Sequence, residues 1–423
     1  MLPEVKMRGF KSTVRVEEAI LRFFNALHFE KPAVESVPTL EVLGRILGED
    51  LISQVDIPPF YKSAVDGYAV RAEDTFGASR TNPSFLTLVG EIGAGDKPDL
   101  EVERGEAARI STGAAMPKGA DAIVMLEYTK TVDPGRIEIW GPVTPSQNVT
   151  RKGEDVHTGE IVLKKGVRIR PQDVGILAML GKTVINVIKK PSVSIFSTGD
   201  ELVESEEEAE EGKTIDVNRP ILLSMIREAG ANGLDRGIVG DRFEDIRRKM
   251  EESLAEADAV VVTGGTSVGA RDLVPEVINS IGKPGMLVHG VSMRPGMPTG
   301  LGVVNGKPVI SLPGNPVAAM IAFEVFVKPL ISRLMDAQEE LTPKIKGRLT
   351  RRIASVQGFR TFNRVLVRRL GDQVSVEPIR LTGSGILTSM TKANGILVIP
   401  EDVEGYEAGE EVEVSLLRPV EES

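Results

Sequence analysis

The chain has 423 residues, more than one hydrophobic core normally serves, so we expect three or four domains. Its 51 basic and 61 acidic residues give a net charge of −10, which argues against a nucleic-acid-binding protein that relies on general positive potential. The absence of cysteine from the sequence excludes disulfides, thiolate zinc sites and cysteine nucleophiles.

The sequence also lacks the features of an exported or membrane-bound protein. The first 20 residues contain no apolar h-region, and no segment approaches the roughly 18 uninterrupted apolar residues of a membrane span. We therefore expect a cytoplasmic protein whose partners include neither a membrane nor a nucleic acid.

The first half of the chain predicts helices on either side of a region of short strands. Apolar residues recur at helical spacing over 15–30 and 38–53. Short Val-, Ile- and Thr-rich runs then alternate with Gly and Pro up to about residue 146, a pattern typical of β structure. A further helix over 171–182, with Pro171 in its first turn, is expected to pack on the N-terminal helices and to make that domain discontinuous.

From residue 191 onward, strands and amphipathic helices alternate. The predicted strands are SVSIFSTG, GLDRGIVGD, DAVVVTGG and KPVISLPG, and the predicted helices are RPILLSMIREAG, FEDIRRKMEESLAEA, DLVPEVINSIG and residues 315–335. This alternation predicts a doubly wound parallel sheet. We expect Asn218 to cap the first of these helices, and Asn315 and Pro316 to begin the long one.

The fold class is thus α/β and multidomain. The acidic run ESEEEAEEG interrupts the first crossover as a solvated surface loop, and short strands return after residue 338. The predicted domains are a discontinuous helical linker domain (1–54 and 147–188), a small β-rich domain (55–146), an α/β domain (189–337) and a C-terminal β-barrel domain (338–423).

Polar residues and glycines follow each predicted strand of the α/β domain at the point where it ends. In an open parallel sheet, ligands bind beyond the carboxyl ends of the strands, because loops and helix N-termini meet there. The residues at this edge are Ser197, Thr198, Gly199, Asp200, Glu201, Asp241, Gly264, Gly265, Thr266, Ser267, Gly269, Asp272, Pro313, Gly314 and Asn315. Their convergence predicts one ligand site.

TGGTSVGARD (263–272) is the glycine-rich turn at the centre of that edge. Its glycines allow backbone N–H groups to approach an anion, and the following helix adds its positive end. The segment matches neither a Walker loop nor GxGxxG, and a tight turn without a ligand is the alternative. For SLPGNP (311–316) the alternatives are a phosphate-binding turn and a simple well-capped helix.

Four carboxylates are predicted on or near the same edge: Glu201, Asp216, Asp241 and Asp272. Acidic side chains beside a phosphate repel it unless a cation lies between them, and carboxylate oxygens suit Mg²⁺. As a group they predict a magnesium site, whereas each alone is better explained as a helix cap or a surface acid.

Two further segments carry candidate residues. In MRPGMP, Arg294 precedes a rigid Pro-Gly bend that would direct its guanidinium at an oxyanion. In the β-rich region, Asp66 lies in SAVDGYAV and Thr112 in STGAAMPKGADAIV. A turn carboxylate is the simpler interpretation of Asp66.

Eight motifs occur in order along the chain: SAVDGYAV, STGAAMPKGADAIV, RKGEDV, STGDEL, DVNRP, TGGTSVGARD, MRPGMP and LPGNPV. In this order they resemble the molybdopterin molybdotransferase family, which includes the MoeA-type enzymes and the gephyrin E domain. The resemblance implies a four-domain subunit that forms a homodimer, with a site shared between the α/β domain of one subunit and the small β domain of the other. It also implies the reaction, insertion of molybdate into adenylylated molybdopterin with Mg²⁺-dependent release of AMP.

By position in matching motifs, the resemblance implies roles for individual residues. The implied catalytic residues are Asp66, Thr112, Asp155, Glu201, Asp241, Asp272 and Arg294, of which Glu201, Asp241 and Asp272 would hold the metal. The implied substrate-binding residues are Ser197, Thr198, Gly199, Asp200, Asp216, Asn218, Gly264, Gly265, Thr266, Ser267, Gly269, Pro313, Gly314, Asn315, Arg360 and Ser384. Of these, Arg360 and Ser384 resemble the terminal-domain side of the molybdate pocket.

The chain departs from the family pattern at a few positions. Arg294 and Met297 stand where the family usually has two lysines, and Ala318 replaces a frequent serine. Met297 removes one cation from the oxyanion subsite, and Arg for Lys keeps the charge but changes its geometry. For the oxyanion subsite, the alternatives are weaker oxyanion binding, a preference for tungstate and a paralogue with altered activity. For the function, they are a non-catalytic carrier or scaffold for molybdopterin, an adenylyltransferase that makes the activated pterin with a similar GGT loop, and an unrelated nucleotide-binding α/β enzyme.

Overall fold

Two units make up the chain. The computed structural model describes residues 13–208, 210–264, 273–338, 341–379 and 383–422. The first unit comprises the described residues up to Ser36, Gly44–Ile46 and those from Asn186 onward, and the second comprises Val37–Leu43 and Leu47–Ile185. The finer division into four domains stays a prediction.

Residues 13–185 carry short strands between two helices. Their elements are α1 (Val16–Asn25), β1 (Val34–Pro38), β2 (Leu51–Ile52), β3 (Lys62–Ser63), β4 (Gly67–Val70), β5 (Ser84–Ile92), β6 (Glu106–Ile110), β7 (Ala122–Met125), β8 (Thr129–Asp133), β9 (Arg136–Ile139), β10 (Val149–Thr150), β11 (Ile161–Leu163) and α2 (Pro171–Met179). The helices confirm those predicted over 15–30 and 171–182. Strands β4–β9 form one sheet in the order β7-β4-β6-β5-β9-β8, with aliphatic clusters on both faces.

The helix predicted over 38–53 is wrong. That segment has a 3₁₀ turn at Thr39–Glu41, and its end forms β2, which pairs with β11. Gly44 adopts a φ of 75°, which an α-helix does not allow. The Leu47 N–H donates to Val167 O at 2.9 Å instead of to a carbonyl one turn earlier. Long-range backbone pairing therefore overrides the helical spacing of the apolar residues.

The α/β region follows. Its elements are β12 (Val184–Ile188), β13 (Ser192–Thr198), β14 (Leu202–Val203), β15 (Thr214–Ile215), α3 (Asn218–Glu228), β16 (Asn232–Val239), α4 (Phe243–Glu256), β17 (Ala259–Gly264), α5 (Leu273–Ile281), β18 (Pro284–His289), β19 (Met293–Arg294), β20 (Gly300–Val304), β21 (Lys307–Leu312), α6 (Pro316–Ala322) and α7 (Lys328–Leu334). The main sheet has the order β16-β13-β17-β21-β20-β18. The first four strands are parallel, as predicted, while β20 and β18 extend the sheet antiparallel. Asn305 and Gly306, both at positive φ, form the tight turn that makes β20 and β21 a hairpin.

Helices cover both faces of this sheet. Val261 joins the apolar cluster shared with α1, α3 and α6, while Val260 and Val262 join the cluster shared with α4 and α5, because successive strand residues point to opposite faces. All three are fully buried, which explains the continuous apolar run in DAVVV. Each such side chain stabilises the fold by about 1.5–3 kcal/mol, and the polar residues are left to gather where the strands end.

The long helix predicted over 315–335 is interrupted. α6 and α7 flank a π-helical turn at Phe323–Val327. Pro329 lies in the first turn of α7; it has no N–H to donate, and its ring crowds the preceding turn, so a wider turn accommodates it. Among the described residues, no helix has the length and apolar character needed to cross a membrane.

The C-terminal strands close into the predicted barrel. Their elements are β22 (Lys344–Leu349), β23 (Ile353–Ala354), β24 (Arg360–Leu370), β25 (Gln373–Pro378), α8 (Thr388–Lys392), β26 (Gly395–Ile399), β27 (Gly405–Tyr406), β28 (Glu411–Leu416) and β29 (Glu421–Glu422). The order β24-β25-β22-β28-β26 returns to β24 through the pairing of β26 with β24. Alternate inward residues such as Val365, Val367 and Val414 fill the interior.

Candidate functional site

The carboxyl ends of β13 and β16 bring predicted site residues together. Thr198, the last residue of β13, donates its hydroxyl proton to Asp241 Oδ1 at 2.6 Å. Asp241 lies just beyond β16, and its N–H donates to Asp200 Oδ1 at 3.0 Å. Ser197 is fully buried, and its Oγ has no hydrogen-bond partner among the described residues. Two parallel strands thus present an exposed carboxylate, Asp241, held at its base by a buried hydroxyl.

Glycines make room for carboxylates at this edge. A Cβ at Gly199 would lie 2.8 Å from Glu201 Oε2, so the exposed Glu201 carboxylate folds back over the glycine. A Cβ at Gly240 would lie 3.0 Å from Asp200 Oδ1. Both glycines are therefore positions where a side chain would displace an acidic group of the candidate site.

Asp216, two residues before α3, accepts the first N–H groups of that helix. The prediction that Asn218 caps α3 is therefore wrong. Asp216 Oδ1 accepts the N–H groups of Asn218 and Arg219 at 3.1 and 3.2 Å, the contacts of an N-capping carboxylate. Arg219 also pairs with Asp235 and Glu204 at 2.6 and 2.9 Å. Burial acts to lower the pKa of Arg219, but these carboxylates outweigh it and raise the pKa. Asp216 thus fixes the start of α3, and the side chain of Asn218 is left to bind residues at the strand ends.

The Asn218 amide connects the ends of two neighbouring strands. Its Nδ2 donates to Thr263 Oγ1 at 2.9 Å and to Gly314 O at 2.7 Å. Thr263 in turn donates its hydroxyl proton to Pro313 O at 3.2 Å. The predicted substrate residues Pro313 and Gly314 are therefore both connected to Asn218, Gly314 directly and Pro313 through Thr263. Thr263 opens the motif TGGTSVGARD but was not among the predicted site residues. Its only signal in the sequence is a threonine at the end of a buried strand, directly before two glycines.

Gly264 marks a close approach of two backbones. Its φ is 92°, and a Cβ there would lie 2.1 Å from Thr198 O, so no side chain fits. At Gly264 the close approach is to the backbone of β13, and an anion facing the glycines of this turn stays a prediction. The remaining predicted residues of this turn, which lie outside the described residues, are Gly265, Thr266, Ser267, Gly269 and Asp272.

The donors at this edge suit a hard cation. Glu201 and Asp241 are exposed carboxylates, and carboxylate oxygens are the ligands that Mg²⁺ prefers. Within the described ranges, no three or more His, Asp and Glu side chains group closely enough to hold a metal ion. The third predicted ligand, Asp272, lies outside those ranges. Glu201 and Asp241 are therefore the two predicted ligands that the structure describes.

The turn between β21 and α6 meets a loop of the barrel region. Asn315 occupies the N-cap position, and Pro316 is the first helical residue, as predicted. The Val317 N–H donates to Ser384 O at 3.1 Å, and Asn315 Oδ1 lies against Gly385. The structure thus brings the predicted substrate residues Asn315 and Ser384 together at the start of α6.

Arg294 lies beside the barrel rather than in the loops that follow β13–β21. In the parallel pairing of β19 with β24, Arg294 is opposite Thr361. Its exposed guanidinium is 4.8 Å from the centre of the Phe359 ring, a cation–π distance. The contact orients the cation without neutralising its charge.

Arg360 is held by two carboxylates. It pairs with Glu401 at 3.0 Å and with Glu17 of α1. Burial acts to lower the pKa of Arg360, but the two ion pairs raise it overall. Its charge is therefore already compensated within the protein, which makes it a weaker oxyanion ligand than Arg294.

In the second unit, Asp66 and Thr112 form a direct pair. The Thr112 N–H donates to Asp66 Oδ1 at 2.8 Å. This backbone bond, and after it the bond from the Thr112 hydroxyl, lowers the pKa of the Asp66 carboxyl. Both residues are exposed. Gly67 lets β4 lie close to its neighbour, since a Cβ there would be 2.2 Å from Val124 O. The two motif residues thus form one ionised, accessible group.

Asp155 lies in the turn after β10. Its N–H donates to Ile57 O at 3.0 Å, and its side chain is exposed. The neighbouring Asp56, which the motifs did not single out, accepts the N–H of Thr158 at 2.9 Å. This bond is the largest of several influences that lower the pKa of Asp56.

Models of three protein regions match most of the chain. The MoeA N-terminal region (domains I and II) matches residues 14–181. The probable molybdopterin binding domain matches 194–333, which contains all the strand-end residues above. The MoeA C-terminal region (domain IV) matches 346–417.

Relatives match over almost their whole length. A putative molybdopterin biosynthesis protein of Methanocaldococcus jannaschii is 43% identical over 397 residues, which are 92% of this chain and 94% of that protein. A molybdopterin molybdenumtransferase of Staphylococcus aureus is 35% identical over 96% of each chain. The crystal structure of a molybdopterin biosynthesis moeA protein from Pyrococcus horikoshii OT3 superimposes with a TM-score of 0.84 at 36% identity, covering 96% of this chain and all of that one.

Proposed function

Because the chain belongs to the MoeA family, we propose that it is a molybdopterin molybdenumtransferase, an enzyme of molybdenum cofactor biosynthesis. The finer proposal is that it inserts molybdate into adenylylated molybdopterin with release of AMP. The observation that carries it is the convergence of Thr198, Asp241, Asn218 and Gly314 at one edge of the sheet. Thr198 ends β13, Asp241 and Gly314 lie in the loops after β16 and β21, and Asn218 is the first residue of α3.

The loops after β17 and β21 are proposed to hold the pterin and its phosphates. Gly264 lets the backbone pass close to its neighbours, and the glycines that follow it in TGGTSVGARD are proposed to offer their backbone N–H groups to the phosphates. Asn315 and Ser384 complete this side, since the barrel loop lies against the turn before α6. The protein would thus bind an anionic ligand mainly through backbone groups.

Charge neutralisation is proposed to supply most of the rate acceleration, as in phosphoryl transfer generally. Glu201, Asp241 and Asp272 would hold Mg²⁺, which when bound offsets the negative charge of the phosphates. The hydroxyl of Thr198 fixes the Asp241 carboxylate for that role. Arg294, the one basic residue of MRPGMP, is proposed to bind the oxyanion, because its charge is not paired with a carboxylate in any described contact.

The oxyanion subsite differs from the family pattern. Met297 places a thioether where a lysine is usual, and Ala318, a residue of the first turn of α6, is buried. We propose molybdate as the oxyanion substrate. Tungstate is the alternative to be tested, because the subsite has one cation fewer than the family pattern. A cytoplasmic homodimer is part of the same proposal, which rests on the resemblance.

The direct test is AMP release from adenylylated molybdopterin with Mg²⁺, titrating molybdate and tungstate in parallel. Asp241→Asn should lower oxyanion-dependent release by about 10²-fold, since the amide keeps the size but loses the charge at a preorganised site. Asp245→Asn is the matched control, because Asp245 is a surface residue of α4 paired with Arg248 at 2.8 Å. It should retain wild-type activity.

Two outcomes would overturn the proposal. Bound pterin without AMP release, under either oxyanion, would make the protein a carrier. ATP consumption without molybdate would make it an adenylyltransferase. Equal losses in Asp241→Asn and Asp245→Asn would show that the strand-end carboxylate has no special role.

A further inference from the structure

The Thr263 hydroxyl and the Asn218 amide connect the end of β17 with the turn after β21, at the substrate site proposed above. We propose that Thr263 is a positioning residue, which with Asn218 holds the end of β17 and the turn at Pro313 and Gly314 at a fixed spacing. Asn218 would then act on the substrate through these backbone groups rather than by direct contact. The inference rests on the proposed function, because it concerns the same substrate site.

The hydrogen bonds of the pair are mutually consistent. The Thr263 hydroxyl accepts from Asn218 Nδ2 and donates to Pro313 O, so both its accepting and its donating capacity are used. Asn218 Nδ2 has two hydrogens, one for Thr263 and one for Gly314 O. Asn218 and Thr263 are 7% and 1% exposed, so water cannot readily replace a lost partner.

Side-chain hydrogen bonds connect the two chain segments where the backbone pairing of β17 with β21 ends. Thr263 and Leu312 are the last pair of the β17–β21 ladder, and Pro313 cannot continue it because it has no N–H. Immediately beyond, the backbone of Gly314 approaches the end of β17, since a Cβ on Gly314 would be 3.7 Å from the Cα of Gly264. The side-chain bonds therefore act at the first position where the ladder no longer sets the spacing of the two chain segments.

Thr263→Val tests this inference with little change of shape. Valine keeps the branched side chain but removes the hydroxyl, so one N–H of Asn218 Nδ2 and the Pro313 carbonyl oxygen each lose their partner, while the bond from Nδ2 to Gly314 O remains. We expect KM for adenylylated molybdopterin to rise about tenfold, with kcat within about twofold of wild type, as for the loss of one to two hydrogen bonds. Thr263→Ser should restore KM. A residue that only stabilised the fold would reduce the amount of active enzyme and leave KM unchanged.

Hydrogen–deuterium exchange on the full chain gives a second measurement that does not depend on activity. In Thr263→Val, exchange at Gly314 and Asn315 should rise several-fold, while exchange in the barrel strand β24 stays at the wild-type rate. Ser253→Ala is the matched control, because Ser253 of α4 is equally buried, its Oγ has no partner among the described residues and it belongs to no motif. It should leave both KM and exchange unchanged.

The outcomes separate this inference from the proposed function. If wild-type protein releases no AMP, the proposed function fails, and exchange alone decides the positioning role. Wild-type exchange at Gly314 in Thr263→Val, or a rise throughout the chain, would overturn the inference. If Thr263→Val does not fold, Asn218→Asp serves instead, since it replaces the donor by an acceptor at the same size; wild-type KM and exchange in that variant would overturn it as well.

Discussion

Asp66 shows how one backbone contact sets the charge of a residue. Its carboxylate accepts the Thr112 N–H, and this bond is the main cause of its lowered pKa. A carboxylate whose pKa is lowered in the folded state contributes stability above its unfolded pKa, near pH 4, and the contribution is lost as the pH falls through the folded value. Asp56, held by Thr158, follows the same rule. Both therefore remain ionised throughout the neutral range.

Asp66→Asn should lower AMP release at pH 7 by about 10²-fold if the charge of Asp66 is used at the site. The asparagine oxygen can still accept the Thr112 N–H, so the turn is retained and only the charge is lost. The melting temperature should change little because the side chain is exposed. In wild type, kcat/KM should show no loss attributable to Asp66 between pH 5 and 8, because that range lies above the ordinary pKa of an aspartate, near 4, and the Thr112 bonds lower the pKa of Asp66 further.

Asp74→Asn is the matched control for Asp66. Asp74 makes the same kind of contact, accepting the Gly105 N–H at 2.9 Å, but it belongs to no family motif. It should keep wild-type activity. Equal activities of the Asp66 and Asp74 variants would reduce Asp66 to the turn carboxylate that is its simpler interpretation.

Gly264 carries the corresponding prediction at the level of the elements. Gly264→Ala should both destabilise the protein and weaken substrate binding, because the new Cβ would lie 2.1 Å from Thr198 O and force β13 and β17 apart where their loops begin. Gly306→Ala isolates the effect of φ, since Gly306 has a φ of 86° and nothing within 4 Å of the new Cβ. The control should cost about 1–2 kcal/mol, and Gly264→Ala about 1–3 kcal/mol more.

Calorimetric melting temperatures and KM for adenylylated molybdopterin measure the two effects. Gly264→Ala should lower the melting temperature further than Gly306→Ala and raise KM, whereas Gly306→Ala should leave KM unchanged. A variant at Gly264 that melts and binds like the control would show that β13 and β17 separate without cost.

The spacing of apolar residues along the chain predicted the helices and strands whose structure depends mainly on neighbouring residues. Buried strands such as DAVVV and the alternation with amphipathic helices were sufficient to predict the parallel strands and the edge where their polar ends converge. The helix over 38–53 was wrong because Gly44 and a backbone bond to Val167, neither evident from spacing, decide that segment. The antiparallel β20 was missed because its Gly-rich sequence shows no alternation.

The site was predictable to the extent that it lies at strand ends. Asp241 and Asp200 were found from position alone, and the structure joins them. Asn218 was expected to cap α3, but Asp216 does so, because either polar residue satisfies the sequence rule and only the fold selects between them. Thr263 was not predicted as a site residue although it opens TGGTSVGARD. Its proposed positioning role depends on hydrogen bonds to Asn218 and Pro313, which are far from it along the chain.

At the scale of the whole molecule, an exposed apolar surface in the second unit bears on assembly. Leu40 is 91% exposed, and Met179 and Val184 are 52% and 54% exposed. They are neighbours, because the Thr39 N–H donates to Thr183 O at 2.9 Å and α2 packs against the 3₁₀ turn at Thr39–Glu41. Contiguous apolar residues on a surface typically mark a contact with another protein. This surface supports the proposed homodimer and gives a position at which to break it.

A homodimer that shares its site between subunits makes a quantitative prediction. Asp66→Asn and Asp241→Asn should each be nearly inactive alone, but a refolded equimolar mixture should recover about a quarter of wild-type AMP release, since half the dimers are mixed and each has one intact site. Adding Leu40→Asp to both chains should abolish the recovery and shift the mass in solution to that of a monomer. Leu341→Asp is the control, because Leu341 is 89% exposed and outside this surface. No recovery from mixtures that remain dimeric would place Asp66 and Asp241 in separate sites.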